Sequence, residues 1–142
     1  MAAVGAARTP QGEFAGVSAL VVEDNDFVRD LVANQLKQIG FSQVATARDG
    51  EAALKIVDEA APGLMICDIN MEPMGGFELI TRLRDKGRMG AEKIPTIMLS
   101  SHAQPEFIDR ARRLEVDAFL VKPVKKDALA ERIRTVLQRK SG

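Results

Sequence analysis

Leu64-Met65-Ile66-Cys67-Asp68 is four apolar residues in unbroken succession followed by an acid. A strand with one wet face alternates apolar and polar side chains. A strand covered on both faces reads instead as a short continuous apolar run, the habit of parallel sheets sandwiched between helices. The same texture recurs on either side, in Ala19-Leu20-Val21-Val22, Val44-Ala45-Thr46, Thr96-Ile97-Met98-Leu99 and Ala118-Phe119-Leu120-Val121.

Between these runs the apolar spacing is helical. Val28, Leu31, Val32, Leu36 and Ile39 form one stripe, and Ala52, Ala53, Leu54, Ile56 and Val57 a second. Leu79, Ile80 and Leu83 form a third, Phe107, Ile108, Ala111 and Leu114 a fourth, and Leu129, Ile133, Val136 and Leu137 a fifth. The punctuation agrees. Asn25 and Asp49 suit helix N-caps, Pro105 suits a first helical position and Gly40 a C-terminal stop. Strands alternating with helices predict an α/β fold: a doubly wound, five-stranded parallel sheet in the flavodoxin-like order 2-1-3-4-5, a (βα)5 unit.

Composition sets limits. The 142 residues suffice for one domain, with 46% hydrophobic and 28% charged residues and a formal net charge of zero. Charge therefore gives no reason to expect direct binding to nucleic acid or an anionic membrane. The absence of Trp and Tyr argues against stacking on bases or flavins. One cysteine, Cys67, allows no intrachain disulfide and suits a reducing, cytoplasmic setting; it reads as a small buried hydrophobe. No apolar run reaches the ~20 residues of a membrane span. Residues 1–16, rich in Ala and Gly, lack the pattern of a signal peptide and read as a flexible N-terminal tail. The domain is expected over residues 17–140, with no second domain.

In such a sheet, ligands bind beyond the carboxyl ends of the strands, where strand order reverses. The first predicted strand runs into Glu23 and Asp24, the third into Asp68, the fourth into Ser100 and Ser101, and the fifth into Lys122 and Pro123. Three carboxylates in one cleft repel each other unless a cation neutralises them. Hard oxygen donors select Mg²⁺ or Ca²⁺, and so few carboxylates, leaving room for water and a phosphate oxygen, match Mg²⁺ better. Lys122 and Ser100 supply an ammonium and a hydroxyl for the same oxygens. A carboxylate nucleophile, a divalent cation, a lysine and a hydroxyl make a phosphoryl-transfer set, and no general base is needed because the nucleophile is already ionised.

Leu20-Val21-Val22-Glu23-Asp24-Asn25, Cys67-Asp68-Ile69-Asn70-Met71, Ser100-Ser101 and Val121-Lys122-Pro123 stand in order, each at a predicted strand end. In this the chain resembles the receiver domain of two-component response regulators, in particular the single-domain, chemotaxis-regulator-like kind. The resemblance covers Val17 to about Lys140. It implies that Asp68 is the phosphoacceptor, and that Glu23, Asp24, Asp68 and the backbone carbonyl of Asn70 hold Mg²⁺. It implies that Lys122 and Ser100 contact the phosphoryl group, that Ser100 and Phe119 switch between states, and that Lys122–Pro123 is cis. The phosphodonor would be a sensor histidine kinase or a histidine phosphotransfer protein. Output would run through a downstream protein target, with a phosphorylation-dependent homodimer compatible with the resemblance. Such a protein is not a general enzyme: it catalyses only its own Mg²⁺-dependent phosphotransfer and autodephosphorylation.

The chain departs from the family pattern in three places. Met71-Glu72-Pro73-Met74-Gly75-Gly76 replaces Met-Pro-x-Met-Asp-Gly, the acidic pair is Glu-Asp in place of Asp-Asp, and Phe119 lacks the hydroxyl of the frequent Tyr. His102 reads either as an exposed loop residue or, with Asn70, as bordering the path of the hydrolytic water. Arg110, Arg112 and Arg113 read as a solvated helix face or part of a partner surface.

Three other classes compete. An aspartyl-phosphate phosphatase of the haloacid-dehalogenase type wants an Asp at position 70, where Asn70 stands. A flavodoxin-like electron carrier wants a hydroxyl-rich phosphate loop after the first strand and stacking aromatics. A receiver that works without phosphate is disfavoured by the intact acid–Ser–Lys set.

Overall fold

The computed structural model describes residues 13–85, 94–102 and 104–141. Five strands alternate with five helices: β1 (Ser18–Val22), α1 (Asp26–Ile39), β2 (Gln43–Ala47), α2 (Gly50–Glu59), β3 (Leu64–Asp68), α3 (Gly76–Arg84), β4 (Thr96–Ser100), α4 (Pro105–Arg113), β5 (Ala118–Val121) and α5 (Lys126–Ser141). The strands form one parallel sheet in the order β2-β1-β3-β4-β5, as the sequence predicts.

Residue parity along the strands divides the core into two layers. Ala19, Val21, Leu64, Ile66, Ile97 and Leu99 pack against α1 and α5 through Val32, Leu36, Leu129, Ile133 and Val136. Leu20, Val22, Met65, Cys67 and Met98 pack against α2, α3 and α4 through Ala53, Val57, Leu79, Ile80, Leu83 and Ala111. Both faces of the central strands are thus sealed, which is why their sequences do not alternate. The helix ends follow local chemistry. Asn25 Oδ1 accepts from Val28 N–H at 2.9 Å and Asp49 Oδ1 from Ala52 N–H at 2.9 Å. Gly40 ends α1 at φ 135°, a conformation that favours glycine.

Three places differ from expectation. Val44-Ala45-Thr46 shares the apolar texture of the covered strands, but β2 is an edge strand in which Gln43, Ala45 and Thr46 are exposed. Of the segment expected as tail, residues 1–12 lie outside the described residues, but Glu13–Gly16 is folded onto the domain. Phe14 is buried and stacks on Phe41 with ring centroids 4.8 Å apart, Glu13 pairs with Arg134 at 2.7 Å, and Ser42 Oγ donates to Ala15 O at 2.8 Å. An aromatic face inside an Ala/Gly-rich segment carries no periodicity, so its partner was not readable. Leu31, assigned to the buried stripe of α1, is exposed together with Phe27, one turn earlier. The helix buries the arc through Val32 and Leu36, and Leu31 falls on its flank. Among the described residues no helix is long and apolar enough to cross a membrane.

Candidate functional site

The strand register brings the polar strand ends to one edge. Val22 is level with Cys67, so Glu23 and Asp68 are the next residues outward on neighbouring strands. Asp68 is level with Leu99 and Ser100 with Val121, and Lys122 N–H then bonds Ser100 O at 2.8 Å. β1 and β3 are adjacent, yet α1 and α3 cover opposite faces, so the carboxyl edge opens where the winding reverses. Helix α3 starts close against this edge. Gly76 N–H bonds Ile69 O at 2.9 Å, and a Cβ at Gly76 would stand 2.3 Å from Asp68 O, so only glycine allows the approach.

Four of the predicted side chains converge. Lys122 Nζ donates to Glu23 Oε1 at 2.9 Å and lies 3.0 Å from Asp68 Oδ1. Asn25 N–H bonds Glu23 Oε2 at 3.2 Å. One oxygen each from Glu23, Asp24 and Asp68 lies within 4.8 Å of the others. Glu23 and Asp68 are buried and Asp24 is exposed, so the cluster faces solvent through Asp24. The Lys122–Pro123 peptide is cis, as the resemblance implies, and Glu72–Pro73 in the departing loop is cis as well. Met71 and Met74 of that loop are buried.

Burial governs the electrostatics. Desolvation raises the Glu23 carboxyl above its ordinary value; the hydrogen bond from Lys122 opposes this and the charge of Asp68 adds to it. Asp68 is raised in the same way, by burial first, against the hydrogen bond and charge of Lys122. For Lys122, burial works against the charge, but the two carboxylates outweigh it and hold the ammonium above its ordinary value. Burial also pushes the Cys67 thiol up, helped by Asp68 and Glu23, so Cys67 is the small hydrophobe expected rather than a reactive thiol. Three carboxylates against one ammonium leave a net negative pocket of hard oxygen donors. That donor set fits a divalent cation of the Mg²⁺ or Ca²⁺ type.

Ser100 stands at the edge but does not join the cluster. Its hydroxyl donates to His102 O at 2.8 Å and accepts from His102 N–H at 3.1 Å, closing its own turn. The His102 side chain is exposed. Phe119 is half-buried against the layer under α2, α3 and α4. Of the basic cluster on α4, Arg110 lies over the Phe77 ring at 4.7 Å and Arg112 pairs with Asp109 at 3.5 Å. A residue not singled out in the sequence also reaches the site: Arg29 Nη1 donates to the main-chain oxygen of Glu23 at 3.0 Å. An arginine one turn into a helix carries no signal of a bond back to the preceding strand. An open groove of about 680 Å³ at the opposite end of the sheet, against Phe14, Val17, Pro95 and Leu137, is remote from the carboxylates.

Comparison with known proteins agrees with this geometry. The family model described as "Response regulator receiver domain" matches residues 19–134. The chain is 29% identical over 123 residues to the chemotaxis protein CheY of Pseudomonas aeruginosa, covering 87% of this chain and 98% of that protein. It is 36% identical over 110 residues to the Regulator of RpoS of Escherichia coli K12, but spans only 31% of that protein's length. Among solved structures, chemotaxis protein CheY4 of Vibrio cholerae superposes with a TM-score of 0.78 at 29% identity, covering 84% of this chain and 98% of that one. A putative response regulator from Chloroflexus aurantiacus superposes with a TM-score of 0.79 at 25% identity, covering 87% and 98%. A five-stranded parallel sheet with an acidic triad and a lysine at its switch point, matched by the family model from β1 into α5, places this chain in the response regulator receiver domain family of two-component signalling.

Proposed function

We propose that the chain is a stand-alone receiver: Asp68 accepts a phosphoryl group from a histidine of a sensor kinase or phosphotransfer protein, and the phosphorylated form signals by contact with a downstream protein. The observation that carries this reading is the buried Asp68 carboxylate. It is held 3.0 Å from Lys122, and one of its oxygens lies within 4.8 Å of oxygens of Glu23 and Asp24. The chain's similarity to CheY, which extends over nearly that protein's whole length, supports the receiver reading.

The chemistry follows from the residues. An Asp68 oxygen forms the new P–O bond as the P–N bond to the donor imidazole breaks, and the leaving nitrogen keeps the electron pair. Lys122 neutralises charge on the phosphoryl oxygens from a position it already occupies. Glu23, Asp24, Asp68 and the carbonyl of Asn70 would hold Mg²⁺, whose part is to spread the negative charge of the transferring group. Ser100 turns its hydroxyl from His102 towards the phosphoryl group, and Phe119 follows as the second switch residue. A protein donor suits the apolar surface that Phe27, 75% exposed, and Leu31 present on α1, the helix that follows Glu23 and Asp24 in the chain. Arg112 and Arg113 on α4 are exposed and suit the output contact, with a phosphorylation-dependent homodimer as one form of it. A single cysteine without a disulfide partner suits a cytoplasmic setting.

The test is phosphorylation by acetyl phosphate, with and without Mg²⁺, followed by intact mass. Wild type gains one phosphoryl mass only with the divalent ion, and Asp68→Asn gains none. Equal mass gain in the Asn variant, or none in wild type, would overturn the reading.

A further inference from the structure

Arg29, one turn into α1, reaches back to the end of β1. Its Nη1 donates to Glu23 O at 3.0 Å and its Nη2 pairs with Asp26. The Arg29 side chain is 16% exposed, whereas that of Asp26 is 86% exposed. A pair with so solvated a partner contributes little, and does not account for the burial of the guanidinium. The contact with structural consequence is the one to the carbonyl.

That carbonyl and the N–H of Asp24 belong to one planar peptide unit, with the Cα of Glu23 at one end and the Cα of Asp24 at the other. The Glu23 N–H is already held by Ala47 O at 3.0 Å, and Asn25 is held by its cap to Val28 and by its N–H to Glu23 Oε2. Fixing the carbonyl restrains the remaining rotation of the plane, and so restrains the directions in which the Glu23 and Asp24 side chains leave the backbone.

We infer that Arg29 is a positioning residue for divalent-cation binding, anchoring the Glu23–Asp24 peptide so that both carboxylates face Asp68. The inference rests on the cation site proposed above. Partners of this kind, one bond removed from the ligands, typically change metal affinity by about 10- to 100-fold when removed.

The charge of Arg29 predicts the opposite sign. A guanidinium near the cluster repels a cation, so its loss would tighten binding if charge were its only effect. Arg29→Met and Arg29→Lys separate the two. Lysine keeps the charge but lacks the planar fork that reaches the carbonyl and Asp26 together.

Mg²⁺ is titrated into the full chain by calorimetry, since there is no Trp or Tyr to report binding. The temperature is kept well below each variant's melting point, and the folded fraction is checked by circular dichroism. The expected result is a Kd weakened about tenfold in Arg29→Met and weakened in the same direction in Arg29→Lys. An unchanged or tighter Kd in folded variants overturns the inference, even if their melting points fall, because a merely structural role would move the melting point alone. If Arg29→Met does not fold, Arg29→Lys decides. A wild type that binds no Mg²⁺ overturns the cation site itself, whereas normal wild-type binding with undiminished variants overturns only the role of Arg29.

Discussion

The ammonium of Lys122 stands 3.0 Å from Asp68 Oδ1, and the same nitrogen donates to Glu23 Oε1 at 2.9 Å, so one cation bridges two buried carboxylates from neighbouring strands. The bridge supplies the counter-charge between those two buried anions.

Lys122→Met keeps the side-chain bulk and removes that charge. Glu23 and Asp68 then face each other without a counter-ion in a pocket where their side chains are only 2% and 4% exposed. Metal-free protein at neutral pH is expected to lose about 2 kcal/mol of stability, the scale of stranding a buried polar or charged partner. Urea denaturation of both proteins in a chelator measures it, and equal midpoints would show that the bridge carries no net stabilisation.

The pH dependence has a definite sign. Glu23 and Asp68 are raised by burial, so the folded chain keeps protons that the unfolded chain releases. Their contribution is fully present below the ordinary carboxyl values of 3.8 and 4.5, and is lost as pH rises through the raised folded values. Lys122 titrates far above this window. Asp68→Asn removes one of the two groups. The stability of wild type minus that of Asp68→Asn, measured in chelator, should therefore fall as pH rises from about 4 to 7. Added Mg²⁺ should oppose that fall in wild type more than in the variant. A flat difference across the range would contradict the burial argument.

Gly76→Ala tests the close approach of α3. The new methyl would meet Asp68 O at 2.3 Å and the Met98 side chain at 2.9 Å, so the helix start or the acceptor must shift. We expect a loss of about 2 kcal/mol, typical of overpacking, together with slower phosphorylation by acetyl phosphate. An Ala variant with full stability would mean that the contact relaxes freely.

Phe14→Ala tests whether the segment before β1 is part of the folded unit. Phe14 is 5% exposed and stacks on Phe41 at an interplanar angle of 11°. Truncation should cost about 3 kcal/mol, the usual scale for a buried aromatic. A loss below about 0.5 kcal/mol, ordinary for an exposed position, would show that the contact is dispensable.

What the sequence determined was everything encoded within a strand or a helical turn. Unbroken apolar runs specified strands, and those of β1, β3 and β4 are covered on both faces. Asn25, Asp49 and Gly40 set helix ends by bonds to residues at most four positions away, and Pro105 does so by its fixed φ at the first position of α4. Once that alternation was read, the strand ends bearing Glu23, Asp24, Asp68 and Lys122 had to meet, because parallel strands share one carboxyl edge. Tertiary structure decided what depends on rotamer, register and distant partners. Ser100 reaches the same edge, yet its hydroxyl bonds His102, since a local turn competes for it. Arg29 turns back to the Glu23 carbonyl, and Phe14 finds Phe41 across the start of β2. Leu31 faces outward because the buried arc of α1 is set by where the sheet lies, which the spacing of residues along the helix does not record.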